Sequence, residues 1–148
     1  MSARVDDDDF VWLSQWKWQA MLSDGKWYAK RGTQKNYIKK TLLMHRVILG
    51  APDGLFVDHK DHDGLNNQKH NIRTCTPRQN SVHMRPKPHG SQFKGVTWHK
   101  RNARWQAQIR ADGKRIYLGQ FDSGVMAAQA YDAAAKKYHG EFALTNFA

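Results

Sequence analysis

The stretch VDHKDHDGLNNQKHNIRTCTPRQN, residues 57–80, decides how this chain is read. It gathers Asp58, His59, Asp61, His62, Asp63, Asn66, Asn67, His70, Asn71 and Asn80 into 24 residues. Acids, imidazoles and amides at this density are the composition of a segment that coordinates or transfers something. A merely solvated loop is more often rich in Ser, Gly and Lys. Leu55–His59 reads as a strand entering the segment and Asn71–Thr74 as a strand leaving it. Lys60–His70 is too polar for a core and reads as a compact loop closed by its own side-chain hydrogen bonds. Thr76-Pro77 starts a helix, Thr as cap and Pro at the first helical position. That places Asn80 on the first turn, facing back toward the strand that carries Asp58.

The residue types suggest the chemistry. Asp58 is a hard oxygen ligand and the Asn80 carboxamide oxygen a second, a pair suited to Mg²⁺ with several retained waters; Mn²⁺ fits the same oxygens. A cation held this way sits on a phosphodiester oxygen and stabilises charge on the leaving group. Adjacent strand residues point to opposite faces, so His59 diverges from Asp58. A metal on one side of a phosphate and a base on the other needs that divergence. His59, titrating near neutrality, is the natural general base for an attacking water.

These pieces together resemble the HNH motif of the ββα-metal endonucleases, in the homing-endonuclease branch whose last ligand is Asn. The resemblance rests on VDH, DHDG, LNN, NIR, CTP and RQN, with Asn71 thirteen and Asn80 twenty-two residues after Asp58, and on MHR at Met44–Arg46 as lead-in. It implies Asp58 and Asn80 as metal ligands, His59 as general base, and Asn71 as the structural amide that orients the loop and the base. His62 adds an imidazole where the family varies. No catalytic role is assigned to His62, His70 or His83.

Upstream, FVWLSQWKW, KWYAKRG and NYIKKTLLMHRVIL are rich in aromatic and β-branched residues, with turns at Asp24-Gly25 and Arg31-Gly32. They read as a small sheet whose tryptophans form core, base stacking being the alternative. Leu42–Leu49 is a short helix or strand bracing the site, and Arg46 within it is a candidate DNA contact near a phosphate. Downstream, residues 85–91 hold two prolines, a glycine and basic charges and read as a linker.

Beyond it, Phe93–His99, Arg104–Arg110 and Lys114–Leu118 read as three strands, the last entered through Asp112-Gly113. Arg104–Arg110 alternates polar and apolar, so one face is packed and the other presents Arg, Gln and Tyr. Ser123–His139 is an Ala-rich helix with Ala127, Ala130, Tyr131, Ala134 and Tyr138 along one stripe, Ser123 as cap and Gly140 as terminator. An Arg/Gln face suits the DNA major groove, where Arg reads guanine and Gln adenine. KGV, YLGQFD, AAQAYDAAA, HG and the closing NF resemble the AP2 DNA-binding domain over residues 91–148. The match implies Lys94, Thr97, His99, Arg104, Gln106, Gln108, Arg110, Arg115 and Tyr117 as residues at or near the groove.

The charge agrees with that partner. The net charge is +11, spread as +4 over residues 1–50, +2 over 51–90 and +5 over 91–148, which argues for an anionic polymer met along the whole chain. Cys75 is the only cysteine, which excludes an internal disulfide and a multi-Cys zinc cluster. No apolar run reaches a membrane span, and MSARVDDDDF lacks the apolar core of a signal peptide.

The expected fold is α+β: a β-rich N-terminal extension and ββα nuclease core over residues 1–84, the linker, then a three-stranded antiparallel sheet on one helix over 92–148. The expected function is a metal-dependent endonuclease of homing type acting on double-stranded DNA, with Mg²⁺ (or Mn²⁺), no structural zinc and no membrane partner. The expected setting is intracellular, cytoplasmic or nucleoid-associated in a phage-infected bacterium, and not secreted. Monomer and weak dimer both stay open, as do nicking and double-strand cutting. The competing classes are a catalytically silent DNA-binding regulator and an RNA-binding protein that stacks bases on its tryptophans.

Overall fold

The computed structural model describes residues 1–35, 37–84 and 91–147; residues 85–90, where the linker is expected, lie outside the described residues. Three antiparallel sheets and four α-helices make up the described chain. It divides into two compact units, Met1–Pro77 and Arg78–Ala148.

In the first unit, α1 (Asp7–Leu13) precedes a sheet of β1 (Gln19–Ser23), β2 (Lys26–Lys35) and β3 (Ile38–Leu43), followed by α2 (Met44–Leu49). The stretch expected to open the sheet, from Phe10, is helical through Leu13 instead. Asp7, Asp8 and Asp9 fill the first turn, where carboxylates favour the positive end of the helix dipole. Burial of Leu13 anchors the turn in a small core with Ala29 and Met44, and Trp12 and Trp18 pack against that core. Trp16 and Trp27, each 38% exposed, are not part of that core, and the Arg31 guanidinium lies 4.2 Å over the Trp16 ring.

β4 (Phe56–His59) and β5 (Ile72–Cys75) form a two-stranded hairpin that opposes Asp58 to Arg73 and His59 to Ile72. The intervening loop closes on β2 at Gly64. A Cβ there would lie 2.4 Å from the Trp27 carbonyl oxygen and 2.6 Å from the Tyr28 ring, so only glycine fits. The N-terminus pins the same loop: Arg4 N–H donates to Leu65 O (2.8 Å) and Asn67 N–H to Arg4 O (2.8 Å). Asp6 accepts from Lys69 N–H at 2.8 Å, and Asp9 pairs with the Lys69 ammonium at 3.0 Å.

α3 (Pro77–His83) starts at the expected proline, the last residue of the first unit, and continues in the second. The sheet of β6 (Val96–His99), β7 (Arg104–Ala111) and β8 (Lys114–Phe121) then packs on α4 (Gly124–His139). Ser123 caps α4 by accepting from Val125 N–H at 3.1 Å. The buried stripe is Ala127, Ala128, Tyr131, Ala134 and Ala135; Tyr138, expected within it, lies on the last turn of the helix and is exposed. The small alanines let the helix approach closely. Gly95 (φ +73°) carries this furthest, since a Cβ there would meet the Tyr131 ring at 2.0 Å. Asp132, buried on α4, accepts from the backbone N–H groups of Asn146 (2.8 Å) and Phe147 (2.9 Å) and so ties down the closing NF.

Candidate functional site

The polar segment singled out in the sequence is an interlocked structure rather than a solvated loop. Asp61 is its hub. It accepts from Asn66 Nδ2 (2.6 Å), Asn71 Nδ2 (2.9 Å) and Asp63 N–H (2.9 Å). Its partial burial works against ionisation, but those bonds outweigh it and hold the carboxyl below its ordinary range. Asn71 also donates to Asn66 O (2.8 Å) and accepts from Asp61 N–H (3.1 Å). The Asn71 amide thus serves the loop backbone and Asp61.

The amide that meets the imidazole is Asn67, a residue the sequence reading gave no role. It is the largest side chain with no exposure at all. His59 Nε2 and Asn67 Oδ1 are 3.2 Å apart. Because Asn67 Nδ2 donates to Leu65 O (3.2 Å) and approaches Met44 Sδ (3.5 Å), its Oδ1 is the acceptor toward His59. Nε2 then carries the proton in the neutral ring, and the lone pair resides on Nδ1. Burial lowers the pKa of His59, opposed by the Asn67 bond and the nearby acids, so the neutral, proton-accepting form prevails.

His45 and Tyr28 complete the surroundings of this ring. His45 stands edge-on to His59 with centroids 5.0 Å apart and planes at 89°, and Tyr28 lies 6.1 Å from His59. His45 is buried, its Nδ1 has no hydrogen-bond partner, and burial first, then His59 and Arg46, push its pKa down to about 3. It is a neutral ring that fixes another neutral ring.

On the opposite side of the strand Asp58 is buried and paired with Arg73, whose Nε and Nη2 donate to Oδ2 at 2.9 and 2.8 Å. Arg73 is a second residue the sequence reading passed over; its position directly across from Asp58 in the hairpin was the available signal. A buried carboxylate is suitable for a hard divalent cation, which would share it with Arg73. Among the described residues no three His, Cys, Asp or Glu side chains gather as a metal cluster, so an ion here would depend on Asp58, neutral oxygens and water. Asn80, the second expected ligand, lies half-buried on the first turns of α3, in the second unit.

Arg46, expected near DNA, points its guanidinium at the carbonyls of Leu55 (2.7 Å), Ala51 (3.1 Å) and Pro52 (3.0 Å) and holds the α2–β4 connection.

The C-terminal sheet separates its two faces by register. Thr97 opposes Gln106, His99 opposes Arg104, Gln108 opposes Tyr117 and Arg110 opposes Arg115, so all eight share one face, away from α4. A bulge at Ala107/Gln108 preserves that alignment. Thr97, Arg104, Arg110, Arg115 and Tyr117 are exposed, and Gln106, Gln108 and His99 are half-buried. Two contacts qualify the face: His99 Nδ1 accepts from Asn102 N–H at 3.3 Å, and Arg104 pairs with Asp122 at 3.2 Å. Lys94 stands apart. Its ammonium donates to the carbonyls of Val82 and Met84 (2.8 Å to the latter), and burial lowers its pKa to about 8.

A ββ hairpin with an acid and an imidazole side by side on its first strand, followed in sequence by a helix, is the order of elements expected for an HNH motif. The family model described as "HNH endonuclease" matches residues 43–82, and that described as "AP2 domain" matches residues 91–141. The chain is 33% identical over 144 residues to "Uncharacterized HNH endonuclease L560" of Acanthamoeba polyphaga mimivirus, covering 93% of this chain and 74% of that one. It is 33% identical over 93 residues to "Protein 3.8" of Escherichia phage T7, covering 62% and 76%. It is 47% identical over 62 residues to "APETALA2-like protein 2" of Oryza sativa subsp. japonica, covering 42% of this chain but 14% of the plant protein. The chain belongs to the HNH endonuclease family and carries an AP2 domain.

Proposed function

We propose that this protein is a metal-dependent endonuclease of homing type that hydrolyses a phosphodiester of duplex DNA. The observation that supports it most is the buried Asp58–His59 pair with Nε2 of His59 bonded to Asn67, which leaves a lone pair on Nδ1. In this reading His59 Nδ1 takes a proton from water, the oxygen of that water attacks phosphorus, and the bond to the 3′ oxygen breaks. The departing oxygen takes a proton from solvent, leaving a 5′-phosphate and a 3′-hydroxyl. Asn67 holds the ring in the productive tautomer, and His45 and Tyr28 hold its plane. Asp58 and Asn80 are the residues that would hold a divalent cation, Mg²⁺ or Mn²⁺. Bound there, the cation would neutralise charge building on the phosphate oxygens. The AP2 sheet supplies affinity and register, with Arg110, Arg115 and Gln108 toward base edges. Similarity to viral and phage proteins suits a mobile-element or phage setting inside a host cell. No helix among the described residues is long and apolar enough to cross a membrane.

The test is conversion of supercoiled plasmid by the whole chain with Mg²⁺. The reading expects nicked product, inhibition by chelator, and ends that a ligase reseals. Tight binding to duplex DNA with no cutting under any divalent metal would favour the silent regulator.

A further inference from the structure

The sheet of the first unit is three strands wide only where β1 reaches. β1 pairs with Lys26–Lys30, whereas β2 and β3 stay paired from Lys30↔Leu43 out to Lys35↔Ile38. From Arg31 outward the structure is therefore a two-stranded ribbon, about 17 Å long at the usual rise per residue. It rests on little of the protein. Ile38, Lys39, Lys40 and Thr41 are consecutive and all exposed, so both faces of β3 meet solvent there. Ile38 is 63% exposed and Tyr37 beside it 96%. A Cβ on Gly32 would meet nothing within 4 Å. A two-stranded ribbon is marginal on its own, and contact with a partner would support it.

The charge identifies that partner. No acidic residue occurs between Asp24 and Asp53, while Lys26, Lys30, Arg31, Lys35, Lys39, Lys40 and Arg46 do. The strand period then separates the faces. Tyr28, Lys30, Gly32 and Gln34 share one side of β2, and their cross-strand neighbours on β3 are Leu43, Thr41 and Lys39. This is the side on which the Tyr28 ring reaches His45 (5.7 Å) and His59 (6.1 Å). A face that carries Lys30 and Lys39, with no acid on either strand, thus runs from Tyr28, beside the imidazole site, to the exposed end of the ribbon. Lys40 and Ile38 lie on the other side.

We propose that this face of the β2–β3 ribbon lies on the duplex beside the cut site, in the major groove, which is wide enough to admit a two-stranded ribbon. The proposal rests on the endonuclease reading for the location of the cut. Lys39 and Lys30 meet phosphates and Gln34 faces base edges. From Tyr28 to Gln34 the strand advances about 20 Å, the length of about six base pairs, so the ribbon protects that much DNA to one side of the cut.

The test compares Lys39→Gln with Lys40→Gln in the whole chain, on one DNA fragment, by salt-dependent binding and by footprinting. Melting temperature controls for folding, and both positions are solvent-exposed. The expected result is a log–log salt slope smaller by about 0.9 for Lys39→Gln, which makes the affinity loss between 50 and 200 mM salt about 3.5-fold shallower. Its footprint shortens on one side, while Lys40→Gln keeps the wild-type slope and footprint. Equal slopes and footprints for wild type and both variants would overturn the proposal, as would a loss confined to Lys40→Gln. Loss of plasmid cutting plays no part in this readout. A protein that never cuts yet shows the Lys39 slope change refutes the nuclease reading and keeps the ribbon contact.

Discussion

Two polar regions of this molecule use the same kinds of side chain in opposite ways. In the loop between β4 and β5, Asn66, Asn67 and Asn71 turn inward, Asn66 and Asn71 donate to Asp61 at the surface, and Asn67 has no solvent contact at all. On the sheet of β6, β7 and β8, Arg, Gln and Tyr are aligned by strand register and mostly left to solvent. The first arrangement fixes an atom, the lone pair of His59, at the cost of burying polar groups that each need a partner. The second fixes only a pattern of donors and acceptors, which is what a groove-reading surface needs. Substitutions in the loop should therefore damage folding and chemistry together, and substitutions on the sheet should alter binding alone.

The largest expected effect is at Arg73. Arg73→Ala leaves the Asp58 carboxylate buried without its guanidinium, which costs about 3–5 kcal/mol of stability. Added Mg²⁺ should recover part of the lost melting temperature if the cation joins Asp58; a melting curve unmoved by metal would separate Asp58 from metal binding. Next comes Asn67→Leu, which strips His59 of the bond that sets its tautomer. A cutting rate lower by about 10- to 100-fold with DNA affinity intact is expected, within the range of general-base catalysis; an unchanged rate would remove Asn67 from the mechanism. On the sheet, Arg110→Ala and Arg115→Ala should each lose about 1–3 kcal/mol of discrimination between target and non-target DNA, read by competition binding, with no change in melting temperature.

The last prediction is a pH dependence. His45 has an ordinary pKa near 6.5 that falls to about 3 in the fold. Between those values the unfolded chain takes up a proton that the folded chain does not. Stability should therefore decline as pH drops from about 6.5 toward 3, and His45→Phe should flatten that decline in denaturant titrations. A slope identical to wild type would mean that other groups carry it.

Much of this was legible in the sequence, and the gaps have a common cause. The strand pair, the start of α3 at Pro77 and the shared face of Arg104, Gln108 and Arg110 follow from alternation and turn residues, which are local signals. The helix over Asp7–Leu13 was missed because an aromatic-rich run of that length supports either period, and the acidic first turn decided it. Asn67 and Asn71 are chemically identical, and which amide lies beneath the imidazole depends on how the loop folds over β2 at Gly64. Arg46 and Lys94 looked like DNA contacts by charge, but each found backbone carbonyls that no sequence pattern announces. Tyr138 followed the helical stripe, but helical period alone does not tell how far along α4 the packing extends, and Tyr138 is exposed.

The central claim is that His59 supplies the base while other parts of the chain hold the DNA. It is tested most directly by single-turnover cutting and equilibrium DNA binding measured on wild type and His59→Ala side by side. The account predicts that His59→Ala cuts roughly 10²- to 10⁴-fold more slowly while its affinity for duplex DNA stays within about twofold. A variant that cuts at the wild-type rate, or that loses binding in step with cutting, would contradict it.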